Sequence, residues 1–380
     1  MLKSGYKPES IPRPLWSSLN RLAHFVSILL VIGLMLEMQQ GRGIIFYSTD
    51  SPDHNTSQPT GVLQTSGWQW IGQWQHFLGT PIGAHYFITA AHVGGTVGLP
   101  LFFRGKNHFT TASFSDPSSD LILWQVREPF SDWAPMNAST DEVGQRLMVF
   151  GRGTQRGSEI NYPNESPRLR GWGWGPVDGR LRWGQNQVTG FESSQPQEFD
   201  DLFYATFDQN GGSNECHLSV GDSGGPSFVQ NEGEWVLAGI NYAVDGLFNT
   251  STNGNGFNAS LFDSSGLYSG SVGAWFQVPF FPRPRPSGFF STRVSVRLEW
   301  IQSIVKQPLV FPPRLMRADS VEGSYIVEPS AQLNQVNQTI TLPMTNRIVF
   351  VRLESNLQFT IRSSGIIDTN LVVVYTSVSE

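Results

Sequence analysis

From about Gly67 to Val305 the apolar residues come in short runs, each closed by Gly, Asn, Asp or Pro. Examples are His85-Tyr-Phe-Ile-Thr, Leu121-Ile-Leu-Trp-Gln-Val, Leu147-Met-Val-Phe and Trp235-Val-Leu-Ala-Gly-Ile. Runs of this length, broken by turn residues, predict β-strands in a barrel or sandwich. One helical pattern stands out near the end of this region. Ser295–Val305 places Leu298, Ile301 and Val305 on one face, with Val294 one turn earlier.

Both ends of the chain break the pattern. Residues 1–24 carry Lys3, Lys7, Arg13 and Arg21 against the single acid Glu9, and the uninterrupted apolar run Phe25–Leu36 follows. A spanning helix needs about 20 apolar residues, whereas an export-signal core needs roughly 7–15. Residues 1–43 therefore read as a signal peptide, with an uncleaved membrane anchor as the rival, and the chain as exported: secreted, periplasmic or membrane-anchored. Residues 44–66 are polar and turn-rich and read as a loose leader. After the helix, the Pro-rich residues 307–317 read as a linker. Residues 318–380 then offer strand candidates at Tyr325–Val327, Thr339–Leu342, Ile348–Leu353, Phe359–Ile361 and Leu371–Tyr375, enough for a small β-rich module.

Composition narrows the function. Of 380 residues, 39% are hydrophobic and 15% charged, with 39 Gly and 24 Pro, which suits a folded, turn-rich all-β chain. A net charge of -6 without a basic stripe gives no support to nucleic-acid binding. The one cysteine, Cys216, excludes an intrachain disulfide, so the core alone holds the fold. No spacing of ligand residues suggests a metal, and no motif suggests a cofactor.

Three motifs carry chemistry. In Gly221-Asp222-Ser223-Gly224-Gly225-Pro226 a serine sits among glycines. A serine hydroxyl is a weak nucleophile that needs a base and a site for the oxyanion it creates. The glycine two residues earlier lets the N–H groups of Gly221 and Ser223 face one point. In Ile88-Thr89-Ala90-Ala91-His92 an apolar strand runs through two small residues into a histidine. The third group must be an acid that orients the imidazole. Asp120, just before Leu121-Ile-Leu-Trp124, fits better than Asp116 in its more polar setting.

The order His92, Asp120, Ser223, with Thr89-Ala-Ala-His92, Asp120-Leu-Ile-Leu and Gly221-Asp-Ser-Gly-Gly-Pro226, resembles the chymotrypsin-like (trypsin-fold) serine proteases. Leu237-Ala-Gly-Ile240 and Ser291-Thr-Arg-Val-Ser295 are similar to the family's later strand and helix entry, so the resemblance spans residues 67–306. It implies two antiparallel β-barrels of the chymotrypsin type with a C-terminal helix and a cleft between the barrels. It also implies a serine endopeptidase acting on protein or peptide substrates through His92, Asp120 and Ser223, with Gly221 and Ser223 as oxyanion hole. By counting back from the serine, His217 would line the substrate pocket, with Asn241 and Tyr242 beside it. No acid lies between Cys216 and Gly221, so cleavage after Lys or Arg is expected to be poor.

The chain departs from the family in lacking disulfides. Animal members begin their active form with an Ile-Val-Gly-Gly-like sequence whose amino group pairs with the acid before the nucleophile. The nearest stretch here, Arg42-Gly-Ile-Ile45, lacks that pattern, so Asp222 must find another partner or an unexpected N-terminus. A catalytically weak trypsin-fold binding or adhesion protein is the alternative function. There the Trp-rich Gly171–Gly175 segment and the tail, whose partner the sequence does not name, would do the work.

Overall fold

The computed structural model describes residues 43–162, 168–195, 198–309, 311, 313–334, 337–344, 349–355 and 359–377. The expected signal or anchor, residues 1–42 of it, lies outside the described residues. The chain divides into two compact units between Val305 and Lys306.

The first unit opens on a closed antiparallel barrel. Its strands are β1 (Gly72–Trp74), β2 (Phe77–Gly83), β3 (Tyr86–Ala90), β4 (Pro100–Phe103), β5 (Lys106–Ser115) and β6 (Leu121–Val126), in the order β1-β2-β3-β6-β5-β4. β3 and β6 are buried along their whole length, which is why their sequences read as continuous apolar runs rather than alternating ones. Trp74, Phe87, Phe103 and Trp124 fill the interior, the Trp74 and Trp124 rings lying 4.9 Å apart.

The second sheet holds β7 (Arg146–Gly151), β8 (Arg182–Gln187), β9 (Gly190–Glu192), β10 (Leu202–Thr206), β11 (Pro226–Asn231), β12 (Glu234–Val244) and β13 (Gly288–Arg293), in the order β8-β7-β11-β12-β13-β10-β9. The all-β class, the first barrel and the helix follow the sequence reading, but this second sheet does not close through a backbone ladder. Its ends meet instead where Asn186 Nδ2 donates to Thr206 O at 2.9 Å and Thr189 N–H donates to Tyr204 O at 2.8 Å. It is therefore a half-barrel, its open side spanned by the Asn186 amide and by the Thr189 N–H and hydroxyl, which both donate to Tyr204 O. Leu147, Val149, Phe203, Val229, Ala238 and Phe289 form its core.

The expected leader is not loose. Ile44, Ile45 and Phe46 are buried, and Ile45–Phe46 pairs with Cys216–His217. Three consecutive apolar residues gain more by covering the half-barrel than by remaining in water. The aromatic segment packs as well: Arg168–Val177 pairs with Thr154–Tyr162 and Ala259–Leu261, and Trp172 joins Ile45, Phe207 and Phe262. The helix α1 (Leu298–Val305) buries Ile301 and Ile304, whereas Leu298 and Val305 are half-buried, so the apolar face is turned slightly from the expected one.

The second unit contains two sheets. Arg314–Ala318 lies between Ile326–Val327 and Phe350–Glu354, and the other sheet runs Gln332–Asn334, Thr339–Pro343, Asn370–Ser377, Phe359–Ile367. The strand Arg314–Ala318 falls where a linker was expected, its Leu315 packing against Ile340, Leu342 and Tyr375. The strand follows the prolines immediately, and its short sequence Arg-Leu-Met-Arg-Ala buries Leu315, Met316 and Ala318 without a period-two alternation to announce it.

Candidate active site

β3 delivers the histidine. Ala90 is the last residue of the strand and pairs with Leu121, the first of β6, so the residues just beyond these ends face each other. Ala91 N–H donates to Asp120 O at 2.8 Å, and the chain turns through Ala91–Val93. His92 then meets the Asp120 carboxylate twice: its main-chain N–H donates to Oδ1 at 3.0 Å and its Nδ1 to Oδ2 at 2.5 Å. Facing a carboxylate, Nδ1 carries the ring proton, which leaves Nε2 with a lone pair. Nε2 is buried and has no hydrogen-bond partner among the described residues. The side chains of His92 and Asp120 keep 12% and 17% of their exposure, so the pair is largely sheltered from solvent.

Asp116 has a different occupation. Its carboxylate accepts from Ser118 N–H at 3.0 Å and Ser119 Oγ at 2.7 Å, closing the turn before β6.

The Ser223 loop is held by Asn241 through the two residues that follow the serine. Gly224 N–H donates to Asn241 O at 2.9 Å, and Asn241 N–H donates to Gly225 O at 2.8 Å. Gly224 has φ of +76°, and a Cβ there would lie 2.3 Å from Thr89 Oγ1 and 3.4 Å from Ala90 N. Only glycine fits, and this close approach brings the residue after Ser223 against the strand end that leads into His92. Among the described residues, neither Gly221 N–H nor Ser223 N–H has a hydrogen-bond partner.

Asp222 points away from this surface into the half-barrel. It is buried, accepting from Gly153 N–H at 2.6 Å and Ile44 N–H at 3.3 Å on Oδ1, and from Ser219 N–H at 2.8 Å and Ser219 Oγ at 3.1 Å on Oδ2. Burial outweighs these donors and raises its pKa to about 6. Sequence reasoning missed Ile44, Gly153 and Ser219. One signal was present: a Cβ on Gly151 or Gly153 would meet the Asp222 carboxylate at 2.0 or 2.5 Å, so these glycines mark its close approach.

The pocket residues counted from the serine are placed differently from one another. His217 is enclosed between the rings of Phe207 and Phe289, with Nδ1 2.6 Å from Leu218 O and Nε2 3.3 Å from Ser287 Oγ. Burial depresses its pKa to about 4. The ring is thus enclosed, with no exposed surface. Asn241 is also fully buried: its Nδ2 donates to Phe150 O and Asp222 O, and its Oδ1 accepts from Ser227 and Ser291 hydroxyls. It ties the Ser223 loop to three strands. Tyr242 lies beside His92, its ring centroid 6.1 Å from that of the imidazole at an interplanar angle of 72°.

Among the described residues, no three His, Cys, Asp or Glu side chains are grouped to hold a metal. No described helix is long and apolar enough to cross a membrane.

No protein-family model matches the chain, and no curated protein matches it. Among solved structures it is similar to neuropsin, a serine protease expressed in the limbic system of mouse brain. The match covers 63% of this chain and 95% of that one, at 16% identity and a TM-score of 0.36. A likeness this distant transfers no activity.

Proposed function

We propose that the chain is a serine endopeptidase of the chymotrypsin type. In this reading Ser223 Oγ attacks the scissile carbonyl while His92 Nε2 takes its proton. The imidazolium returns that proton to the leaving amine, and water then cleaves the acyl-enzyme by the same route. Asp120 fixes the tautomer and steadies the transient positive charge. The Gly221 and Ser223 amides supply the oxyanion donors. The observation that carries the reading is the twofold bond between His92 and Asp120, which commits Nδ1 and leaves Nε2 unpartnered. The reading includes export through residues 1–36 and poor cleavage after Lys or Arg, because no acid lies between Cys216 and Gly221.

A fluorophosphonate probe tests it directly. The wild-type chain should be labelled on Ser223, and Ser223→Ala and His92→Ala should not be labelled. Absence of label on a folded wild-type chain, or label that persists in Ser223→Ala, would sink the proposal.

A further inference from the structure

Tyr242 sits at an irregularity. β12 pairs with β13 through Asn241↔Ser291 and Ala243↔Phe290, so Tyr242 is an extra residue with no opposite number. A bulge of this kind turns a side chain out of the strand's alternation and re-aims it. Here the ring packs with Leu202, Ala243 and Phe290 and meets the His92 imidazole edge-to-face. Its backbone is fixed too, because the neighbouring Asn241 exchanges hydrogen bonds with Gly224 and Gly225, the two residues that follow Ser223. One residue thus connects the rigid half-barrel to the histidine of the first barrel.

We infer that Tyr242 is a positioning residue: the bulge aims its ring at His92, where it holds the imidazole plane against Asp120 and keeps water from that pair. The inference rests on the peptidase reading for its kinetic consequences, but not for its structural ones. Tyr242 is 8% exposed. Burial first, and then the charges of Asp120 and Asp201, push its phenol far above the usual range. The hydroxyl therefore stays neutral and does not compete as a base. Packing by the ring, not proton transfer, is the contribution.

The test compares Tyr242→Phe, which keeps the ring, with Tyr242→Leu and Tyr242→Ala, which remove it. For a short ester substrate, Tyr242→Phe should keep kcat within about threefold. The Leu and Ala variants should lose about ten- to a hundredfold in kcat with KM little changed, the scale expected when a reacting group is displaced by about an ångström. In proton NMR, the His92 Nδ1–H resonance should persist in Tyr242→Phe and be lost to solvent exchange in Tyr242→Leu. This readout stands even if the chain turns over no substrate, so failure of the peptidase reading is distinguishable. A rise in KM at constant kcat would make Tyr242 a pocket wall, and equal losses in Phe and Leu would assign the effect to the hydroxyl; either overturns the inference. So would a Leu variant that keeps both the resonance and kcat.

Discussion

Asp116 and Asp120 are four residues apart, and the sequence alone offered both as the orienting acid. The structure separates them by their donors: Asp120 receives His92, while Asp116 receives the Ser118 amide and Ser119 hydroxyl of its own turn. Asp120→Asn should lower kcat by about four orders of magnitude while leaving the melting temperature near wild type, because the amide would favour the wrong imidazole tautomer. Asp116→Asn should do the reverse, lowering the melting temperature with little change in turnover per folded molecule. Steady-state kinetics beside calorimetry on both variants checks the assignment.

A second residue makes a pH prediction. Glu215 is buried, accepting from Asp208 N–H at 2.8 Å and Asn186 Nδ2 at 3.2 Å. Burial, reinforced by the Asp208 charge, raises its pKa from 4.5 to about 8. The folded state holds a proton that the unfolded chain has already released. This group's stabilisation is therefore complete below pH 4.5 and is lost as pH rises to about 8. Asp222, at about 6, has finished its own change by then, and His217, at about 4 against 6.5, acts only below that range. Between pH 6.5 and 8.5 the wild-type melting temperature should fall, and in Glu215→Gln it should stay flatter. Parallel curves would mean that Glu215 is ionised in the folded state.

At the scale of elements, the Ser223 loop depends on a glycine that strand β3 leaves no room to replace. Gly224→Ala would combine a left-handed backbone with a Cβ 2.3 Å from the Thr89 hydroxyl, which itself donates to Leu78 O at 2.8 Å. The loop must then withdraw from β3, so fluorophosphonate labelling should fall at least tenfold although both sheets remain. Labelling at the wild-type rate would show that the loop does not need this approach.

The elements also show what the sequence revealed. Strands β3 and β6 of the first barrel were legible because each is a buried, mostly apolar run, whereas β5 is polar and half-exposed and carries no such signal. His92, Asp120 and the Ser223 loop were legible because each belongs to a short motif. The partners of Asp222 were not, since its donors come from as far as 178 residues away and three of them are backbone amides, which any residue supplies. The bonds across the open side of the half-barrel come from Asn186 and Thr189, two polar residues among many. Counting back to His217 gave no sign of its enclosure between Phe207 and Phe289, because a position in the sequence does not say which side chain turns inward.

On the scale of the molecule, the division after Val305 separates every residue of the candidate site from the second unit. The first unit holds its own barrel, half-barrel and helix, with Val305 reaching toward Gly83 of β2. The second unit has a separate apolar centre around Leu315, Ile340, Leu342 and Tyr375. A chain ending at Val305 should therefore fold cooperatively and react with the fluorophosphonate at a rate within about threefold of the full chain, as independent cores allow. Aggregation of the shortened chain, or loss of labelling in it, would show that the tail supports the site.

The Ile44 nitrogen bonded to Asp222 is an amide in the intact chain, and so a neutral donor to an acid that burial keeps partly protonated near pH 6. Hydrolysis of the Gly43–Ile44 bond would turn that same atom into an ammonium without moving it. A single buried group would then become half of an ion pair, and the sign of its pH response would reverse. In the intact chain the Asp222 contribution is lost as pH rises from 3.8 to about 6. In a chain beginning at Ile44 the carboxyl would titrate below its ordinary range, so its contribution would be present above that range and lost only in acid. Melting the two chains side by side at pH 4 and pH 6.5 should show the shorter one gaining relative stability at the higher pH. If both respond alike, the new amine does not reach the carboxylate.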